Sequence, residues 1–168
     1  MIDREYCAMM ARYNAWQNNL LLPVLEAMDP SEITKERASF FGSILKTLNH
    51  ILWADQMWMS RLTGDPAPGG GIPDSVDLHP TLAAWSAERF RMDGRIKLWA
   101  RDVDNIDLTG DLTFYSAMLG KDVSGPMGKC VSHMFNHQTH HRGQVHQMIT
   151  EAGGQTPVSD LFFMPEDA

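Results

Sequence analysis

A histidine-rich segment with helical periodicity, from Cys130 to His146, constrains the fold more than any other part of the sequence. It holds five of the chain's seven histidines. Apolar residues recur every three to four positions without an intervening proline, which predicts an amphipathic helix with the core residues Val131, Met134, Phe135, Val145, Met148 and Ile149. His137 and His141 are four positions apart, so their side chains lie one turn apart on one face and can bind the same metal ion.

The angular positions of the histidines on this helix select an inward-facing pair. His137 and His141 fall at the edge of the apolar arc. His140 lies on the polar side, and His133 is further round the helix. We therefore predict that His137 and His141 face the interior. Gln138 stands where H-E-x-x-H metallopeptidases carry a catalytic glutamate, which excludes that class of zinc peptidase.

Length and charge limit the class of protein. The chain has 168 residues and is 43% hydrophobic, which suits one globular domain over residues 1–168. Its formal net charge is −7, so no overall positive field attracts a phosphate backbone, and we expect no nucleic-acid partner. Cys7 and Cys130 lack CxxC spacing and fit reduced thiols. With no signal-peptide pattern and no apolar run of membrane-spanning length, we expect a cytoplasmic protein without a membrane partner.

Three further segments show helical spacing of apolar residues. They run from about Asp3 to Met28, from Ser39 to Leu62 and from Thr81 to Val103, and the histidine helix runs from about Pro126 to Gly153. Pro23 predicts a kink or a break in the first helix because it removes a backbone donor. The predicted core of the third helix consists of Leu82, Trp85, Phe90, Ile96, Leu98 and Trp99.

Two non-helical segments connect the predicted helices. Residues 63–80 are rich in glycine and proline and predict a connector or a mobile rim over the site. Residues 107–127 place short β-prone runs on either side of a glycine-containing turn, which predicts a small hairpin between the third and fourth helices. The apolar tail over residues 158–163 is expected to pack back onto the helices.

Several polar residues need an interpretation of their own. Asp55 and Arg142 both fall within apolar arcs, and a buried charge is costly unless it is paired. We therefore hypothesise that these two residues form an ion pair that supports the site. Asn14 and Asn18 lie one turn apart and are interpreted as surface or capping amides. Arg89 is assigned to the solvated side of the third helix.

His50 lies on a second apolar face of the second helix, together with Trp53 and Met57. This helix must therefore be covered on both sides. Periodicity alone leaves the role of His50 open, because a histidine packed against a neighbouring helix or a subunit interface fits the pattern as well as a metal ligand does.

Four segments spread over nearly the whole chain carry a family resemblance. They are Tyr13-Asn14-Ala15-Trp16 with Asn18, Asn49 to Asp55, Phe135 to Gln144, and Asp160-Leu161. Together they resemble the DinB family, a group of damage-inducible proteins of metalloenzyme type. The resemblance implies an all-α fold, a four-helix bundle of DinB type with a long connection. The predicted hairpin between the third and fourth helices would be a local addition. The family is often homodimeric, so a homodimer is expected.

The resemblance also implies a metal site. Position by position, the family's three metal-binding histidines match His50, His137 and His141. Three imidazoles would bind one divalent transition metal ion, with zinc and nickel as first choices, and would leave positions open for water or substrate. His133, one turn before His137, is a hydrogen-bonding group behind the ligands, a proton shuttle, an extra ligand or a polar-face histidine.

An activity follows from the wider superfamily that the sequence resembles. It includes thiol-dependent transferases and isomerases, in which a metal-bound thiolate of a small cofactor attacks an electrophile. We therefore expect a small-molecule substrate and a low-molecular-weight thiol. The alternatives are metal-assisted hydrolysis and a non-catalytic, metal-binding stress or scaffold protein. No acidic residue adjoins the histidines in sequence as a general base, so no catalytic residue is assigned beyond the candidate His133.

Overall fold

Five α-helices and one two-stranded antiparallel sheet make up residues 2–168, the part of the chain that the computed structural model describes. The elements are α1 (Arg4–Ala27), α2 (Pro30–Thr34), α3 (Ile44–Thr63), α4 (Leu82–Asp102), β1 (Asp111–Ser116), β2 (Lys121–Pro126) and α5 (Met127–Glu151). Short 3-10 turns cover Asp74–Asp77 and Leu161–Phe163. The mainly helical class and the predicted hairpin are confirmed. None of the helices within residues 2–168 has the length and hydrophobicity needed to cross a membrane.

Side-chain caps determine where three of the four long helices begin. Asp3, Ser43 and Thr81 each accept a hydrogen bond from the backbone N–H three residues further on. The second predicted helix, α3, therefore starts at Ile44 and not near Ser39. Gly42, with a φ of 85°, turns the chain just before the cap.

Two other helical features extend or correct the prediction. α1 continues through Pro23 to Ala27, so the alternative of a break is wrong, and the proline removes one backbone hydrogen bond without ending the helix. The short helix α2 was not predicted, because five residues are too few to show a periodic pattern. Asp29 caps α2, and Pro30 occupies its first turn.

The four long helices share one core. α1 packs against α4 and α5, and α3 also packs against α4 and α5. The fully buried side chains between them include Leu21, Leu48, Ile96 and Phe135. Because α3 and α5 are neighbours, the face of α3 that carries His50 lies against the histidine-rich face of α5.

The hairpin packs beside α3 and the first turns of α5. Phe114 on β1 lies opposite Val123 on β2, and side chains along β1 alternate between exposed and half-buried. The Phe114 ring meets the Trp58 ring of α3 edge to face, with 5.5 Å between the centroids. The hairpin therefore extends the surface around the end of α3.

The inward face of α4 differs from the predicted one. Phe90 and Leu98 were predicted as core residues, but their side chains are 78% and 53% exposed. Arg89, which was assigned to the solvated side, is 3% exposed. The apolar pattern was misleading because Arg89 and Asp93 face inward together, with an ion-pair distance of 2.8 Å between Nη2 and Oδ1.

The C-terminal tail returns to α1 through its backbone. The Arg12 guanidinium donates to the carbonyls of Pro165 and Ala168, and the Tyr13 hydroxyl donates to the carbonyl of Ser159. The side chain of Phe162 nevertheless remains 90% exposed. The expected return of the tail is thus correct for its backbone and wrong for its aromatic side chains.

Candidate metal centre

Three histidines from α3 and α5 converge at the interface between these helices. One ring nitrogen from each of His50, His137 and His141 lies within 4.8 Å of the other two. The Nε2 atoms of His50 and His137 are 3.2 Å apart. The structure thus brings together all three histidines that the family resemblance selected, although they are separated by up to 91 positions, the difference between 141 and 50.

A serine on the connector fixes the orientation of His50. The Nδ1 atom of His50 lies 2.9 Å from Oγ of Ser75, and this hydroxyl donates its own proton to the carbonyl of Ile72 at 2.6 Å. Ser75 must therefore accept, so His50 carries its proton on Nδ1. The lone pair on Nε2 then points into the cluster, as a metal ligand requires.

Asn49 holds this connector against α3. Its side-chain amide nitrogen donates to the carbonyls of Val76 and His79, each at 2.9 Å. These bonds keep the 3-10 turn that carries Ser75 next to His50. Sequence reasoning did not identify Ser75, because nothing in a glycine- and proline-rich segment indicates which hydroxyl will meet the helix.

His141 is oriented in a similar way. Its Nδ1 atom lies 2.8 Å from Oε1 of Gln144, one turn further along α5. A proton on Nδ1 that is donated to this oxygen leaves Nε2 free as a ligand atom. The i,i+3 spacing of His141 and Gln144 is visible in the sequence and could have indicated this contact.

His137 supports the interpretation as a metal site. Its Nδ1 atom is buried and has no hydrogen-bond partner in the described chain. Its Nε2 faces the Nε2 lone pair of His50 at 3.2 Å, and two lone pairs at this distance repel unless a proton or a metal ion lies between them. The donor set therefore fits a divalent cation bound by imidazole nitrogens.

Burial keeps the three rings in their ligand form. Removal from water, and to a smaller extent the neighbouring histidines, lowers the pKa of His50 to about 4 and that of His137 to about 3. Burial also lowers the pKa of His141. All three imidazoles are consequently neutral near pH 7, and only the neutral ring offers a lone pair to a metal.

Aromatic rings cover one side of the cluster. Phe41 stacks on His50 with 4.0 Å between the centroids and lies 5.2 Å from the ring of His141. Trp53 is also stacked on His50, at 6.3 Å, and its Nε1 donates to the carbonyl of Gly69. This bond and that of Ser75 place the glycine-rich connector beside the cluster, as the sequence predicted for a rim.

The other α5 histidines lie outside the set of three. His133 is exposed, and its ring centroid is 5.7 Å from that of His137. It also meets the ring of Trp58 at 5.2 Å. His140 is exposed, with its ring 4.8 Å from that of His141. His133 thus borders the cluster on its solvent side, where a proton can be exchanged with water.

The predicted ion pair between Asp55 and Arg142 is wrong. Asp55, which is fully buried, forms an ion pair with Arg89 at 2.6 Å and accepts a hydrogen bond from Nε2 of Gln138 at 2.9 Å. The prediction failed because Arg89 was placed on the solvated side, which left Arg142 as the apparent partner. Gln138 directly follows His137, so this bond ties the ligand-bearing turn of α5 to α3.

Arg142 binds two asparagines of α1 instead. Its guanidinium donates to Oδ1 of Asn18 at 2.5 Å and to Oδ1 of Asn14 at 2.8 Å. Both amide nitrogens donate in turn to the carboxylate of Asp93. The interpretation of Asn14 and Asn18 as surface amides is therefore wrong, since they are 1% and 5% exposed and connect α4 with α5.

Comparisons with known proteins agree on one family. The DinB family model matches residues 1–168. The chain is 21% identical over 165 residues to Protein DinB of Bacillus subtilis, covering 93% of this chain and 91% of that protein. The crystal structure of a DinB-like protein from Bacillus cereus is similar in fold, with a TM-score of 0.65 and 18% identity. The structural match covers 86% of this chain and 89% of the Bacillus cereus chain.

Proposed function

This chain belongs to the DinB family, and from that membership we propose that it binds one divalent transition metal ion through His50, His137 and His141 and acts as a metal-dependent enzyme. The observation that carries the proposal is the convergence of three imidazoles, two of them with hydrogen bonds at Nδ1 that leave Nε2 free as a ligand atom. Zinc and nickel are the expected metals, because imidazole suits both.

Three protein ligands leave coordination positions open, as in catalytic sites. When bound, such an ion lowers the pKa of a thiol or a water molecule that contacts it. The protein's own groups would position a substrate and exclude water, through the rings of Phe41 and Trp53. His133 would exchange protons at the solvent side.

We propose transfer to or from a small thiol as the reaction class. A thiol made acidic by the ion needs no further base, and no carboxylate is hydrogen-bonded to the three histidines within residues 2–168. Metal-assisted hydrolysis is the second candidate, with His133 as the base that it would require. A non-catalytic metal-binding or scaffold role remains the third.

Metal content tests the ligand assignment. We expect near-stoichiometric zinc or nickel in tag-free protein by elemental analysis, and loss of the metal in His50→Ala, His137→Ala and His141→Ala. His140→Ala is the matched control, because this histidine is on the same helix but outside the set of three. Equal metal content in all four variants would show the ligand assignment to be wrong.

Activity assays distinguish the thiol transferase, the hydrolase and the non-catalytic protein. The metal-loaded protein should accelerate the reaction of a small thiol with a chromogenic aryl halide, and His137→Ala should not. Hydrolysis of activated esters without thiol dependence would favour the hydrolase. A metal-loaded protein inactive in both assays would favour the scaffold role.

Two structural proposals accompany this function. We propose that the four long helices form a four-helix bundle of DinB type and that two copies of the chain form a homodimer. Light scattering coupled to size exclusion would measure the mass in solution, and a mass near 18.9 kDa would contradict the dimer.

A further inference from the structure

Arg61, near the end of α3, is the one arginine without a protein acceptor within residues 2–168. Its guanidinium carbon lies 4.0 Å from the centre of the Phe114 ring and 4.7 Å from that of Trp58. It forms no ion pair there and donates no hydrogen bond. The remaining arginines of this part of the chain, such as Arg89 and Arg101, donate to a carboxylate, carbonyl or amide oxygen.

Arg61 lies on the same surface as the histidine cluster. The Trp58 ring that it covers meets the His133 ring at 5.2 Å, and His133 meets His137 at 5.7 Å. Along α5, His133 lies one turn before His137 and two turns before His141, so the guanidinium of Arg61 is on the order of 10 Å from the ligand nitrogens. His133 is exposed and Arg61 is half-buried, so both side chains can be reached from solvent.

The guanidinium of Arg61 has hydrogen-bond donors available for an anion. Two aromatic faces partly remove it from water, and this burial lowers the pKa of Arg61. The N–H groups at the edge of the guanidinium plane remain without a partner. Their fork geometry matches the two oxygens of a carboxylate.

We propose that Arg61 binds a carboxylate on the small molecule whose other end reaches the metal site. This rests on the proposed metal function and adds the substrate class. A single guanidinium matches a single negative charge, which favours a carboxylate over a doubly charged phosphate. The rings of Trp58 and Phe114 would contact the apolar part that joins the two ends.

Thiols of two lengths test the proposal on zinc-loaded protein by calorimetric titration. ω-Mercaptooctanoate spans about the required distance, whereas mercaptoacetate is too short to reach Arg61 from the metal. Each acid is compared with its uncharged amide. We expect the protein to bind the long acid roughly tenfold or more tightly than the long amide, the range for a charge-assisted hydrogen bond, and to show little such preference for the short pair.

Three variants test whether Arg61 causes the preference for the long acid over the long amide. Arg61→Met should abolish this preference, and Arg61→Lys should retain part of it. Arg101→Met, which removes an exposed guanidinium already paired with Asp102, should leave it unchanged. Thermal denaturation of Arg61→Met reports on any loss of packing against the hairpin.

The outcomes distinguish the two proposals. A lower melting temperature with an unchanged acid-to-amide ratio would assign Arg61 a purely structural role and overturn the carboxylate site. Zinc uptake with equal binding of acid and amide by the parent protein would overturn the Arg61 proposal alone. Absence of both zinc and nickel uptake would overturn the metal proposal and with it the carboxylate site.

Discussion

At the scale of single residues, the groups behind the histidines decide which ring nitrogen is available. Ser75 and Gln144 each occupy the Nδ1 side of one histidine. A partner on Nδ1 fixes the proton there and leaves the Nε2 lone pair available, as a site that binds one metal ion requires. The ligand set is therefore defined by contacts beyond the three rings.

Ser75→Ala tests this role. The substitution removes the acceptor for the His50 Nδ1 proton and should lower zinc affinity by about 10- to 100-fold, as measured by competition with a chromogenic chelator. Ser86→Ala is the control, since this exposed hydroxyl donates to the Ala83 carbonyl on α4. Unchanged affinity in Ser75→Ala would argue against tautomer control by this serine.

The buried histidines also link stability to pH in the metal-free protein. Above their ordinary pKa of 6.5, His50 and His137 are neutral in both the folded and the unfolded states. Between 6.5 and about 4, the unfolded chain binds protons that the folded chain excludes, so the free energy of unfolding decreases as the pH falls. The urea midpoint should decrease over this window, and less steeply in His137→Gln. The same slope in both proteins would refute this explanation.

At the scale of elements, buried polar contacts fix the position of α5. Gln138 bonds to α3 and Arg142 bonds to α1, and each directly follows a candidate ligand histidine in sequence. A rotation or a shift of α5 would break these bonds inside the core, where a lost partner is costly. The same contacts that stabilise the fold therefore orient the candidate ligands.

Asp55→Asn tests the buried ion pair with Arg89 to which Gln138 of α5 is also bonded. The substitution leaves the buried Arg89 with a weaker set of partners and should reduce the free energy of unfolding by about 3 to 5 kcal/mol, measured by urea denaturation. Asp102→Asn removes the carboxylate of an exposed pair with Arg101 and should have no measurable effect. Equal effects of the two substitutions would contradict the assignment of Asp55 as a structural charge.

Sequence patterns predicted the helices well and the polar interior poorly. Apolar periodicity gave the approximate extent of α1, α3, α4 and α5, because apolar side chains must face the core. Periodicity treats a charged residue as a marker of the surface, however, and so misplaced Arg89 and, with it, the partner of Asp55. The partners of a buried polar residue lie on other helices, and the spacing of residues within one helix cannot identify them.

The candidate site was only partly accessible from sequence. The i,i+4 spacing selected His137 and His141 without a structure. His50 required the family resemblance, since its contact with α5 spans 87 positions. Arg61 gave no signal, because its environment is formed by the hairpin and by a neighbouring turn of the same helix.

At the scale of the whole molecule, metal binding would connect the two halves of the chain. His50 belongs to α3, whereas His137 and His141 belong to the last long helix. A ligand that binds only where these helices are packed together stabilises the folded state by mass action. Loading with zinc should therefore affect global unfolding as well as the local site.

Thermal denaturation measures this linkage. At free zinc about 100-fold above the dissociation constant, the free energy of unfolding should rise by about 2.7 kcal/mol. For a domain of this size the melting temperature should then increase by about 5 to 10 °C. His137→Ala should show no such increase, and His140→Ala should behave like the parent. An equal increase in His137→Ala would indicate binding elsewhere on the chain.

The buried polar network limits which helices can be exchanged between related proteins to make chimeras. Asp55 on α3, Asn14 and Asn18 on α1, and Arg89 on α4 all depend on partners supplied by other helices. A histidine helix transplanted alone from a relative would carry candidate ligands but would lack assured partners for these groups. Chimeras should therefore exchange the helices together with their interior polar partners, whereas the exposed rim around the site can be varied one residue at a time.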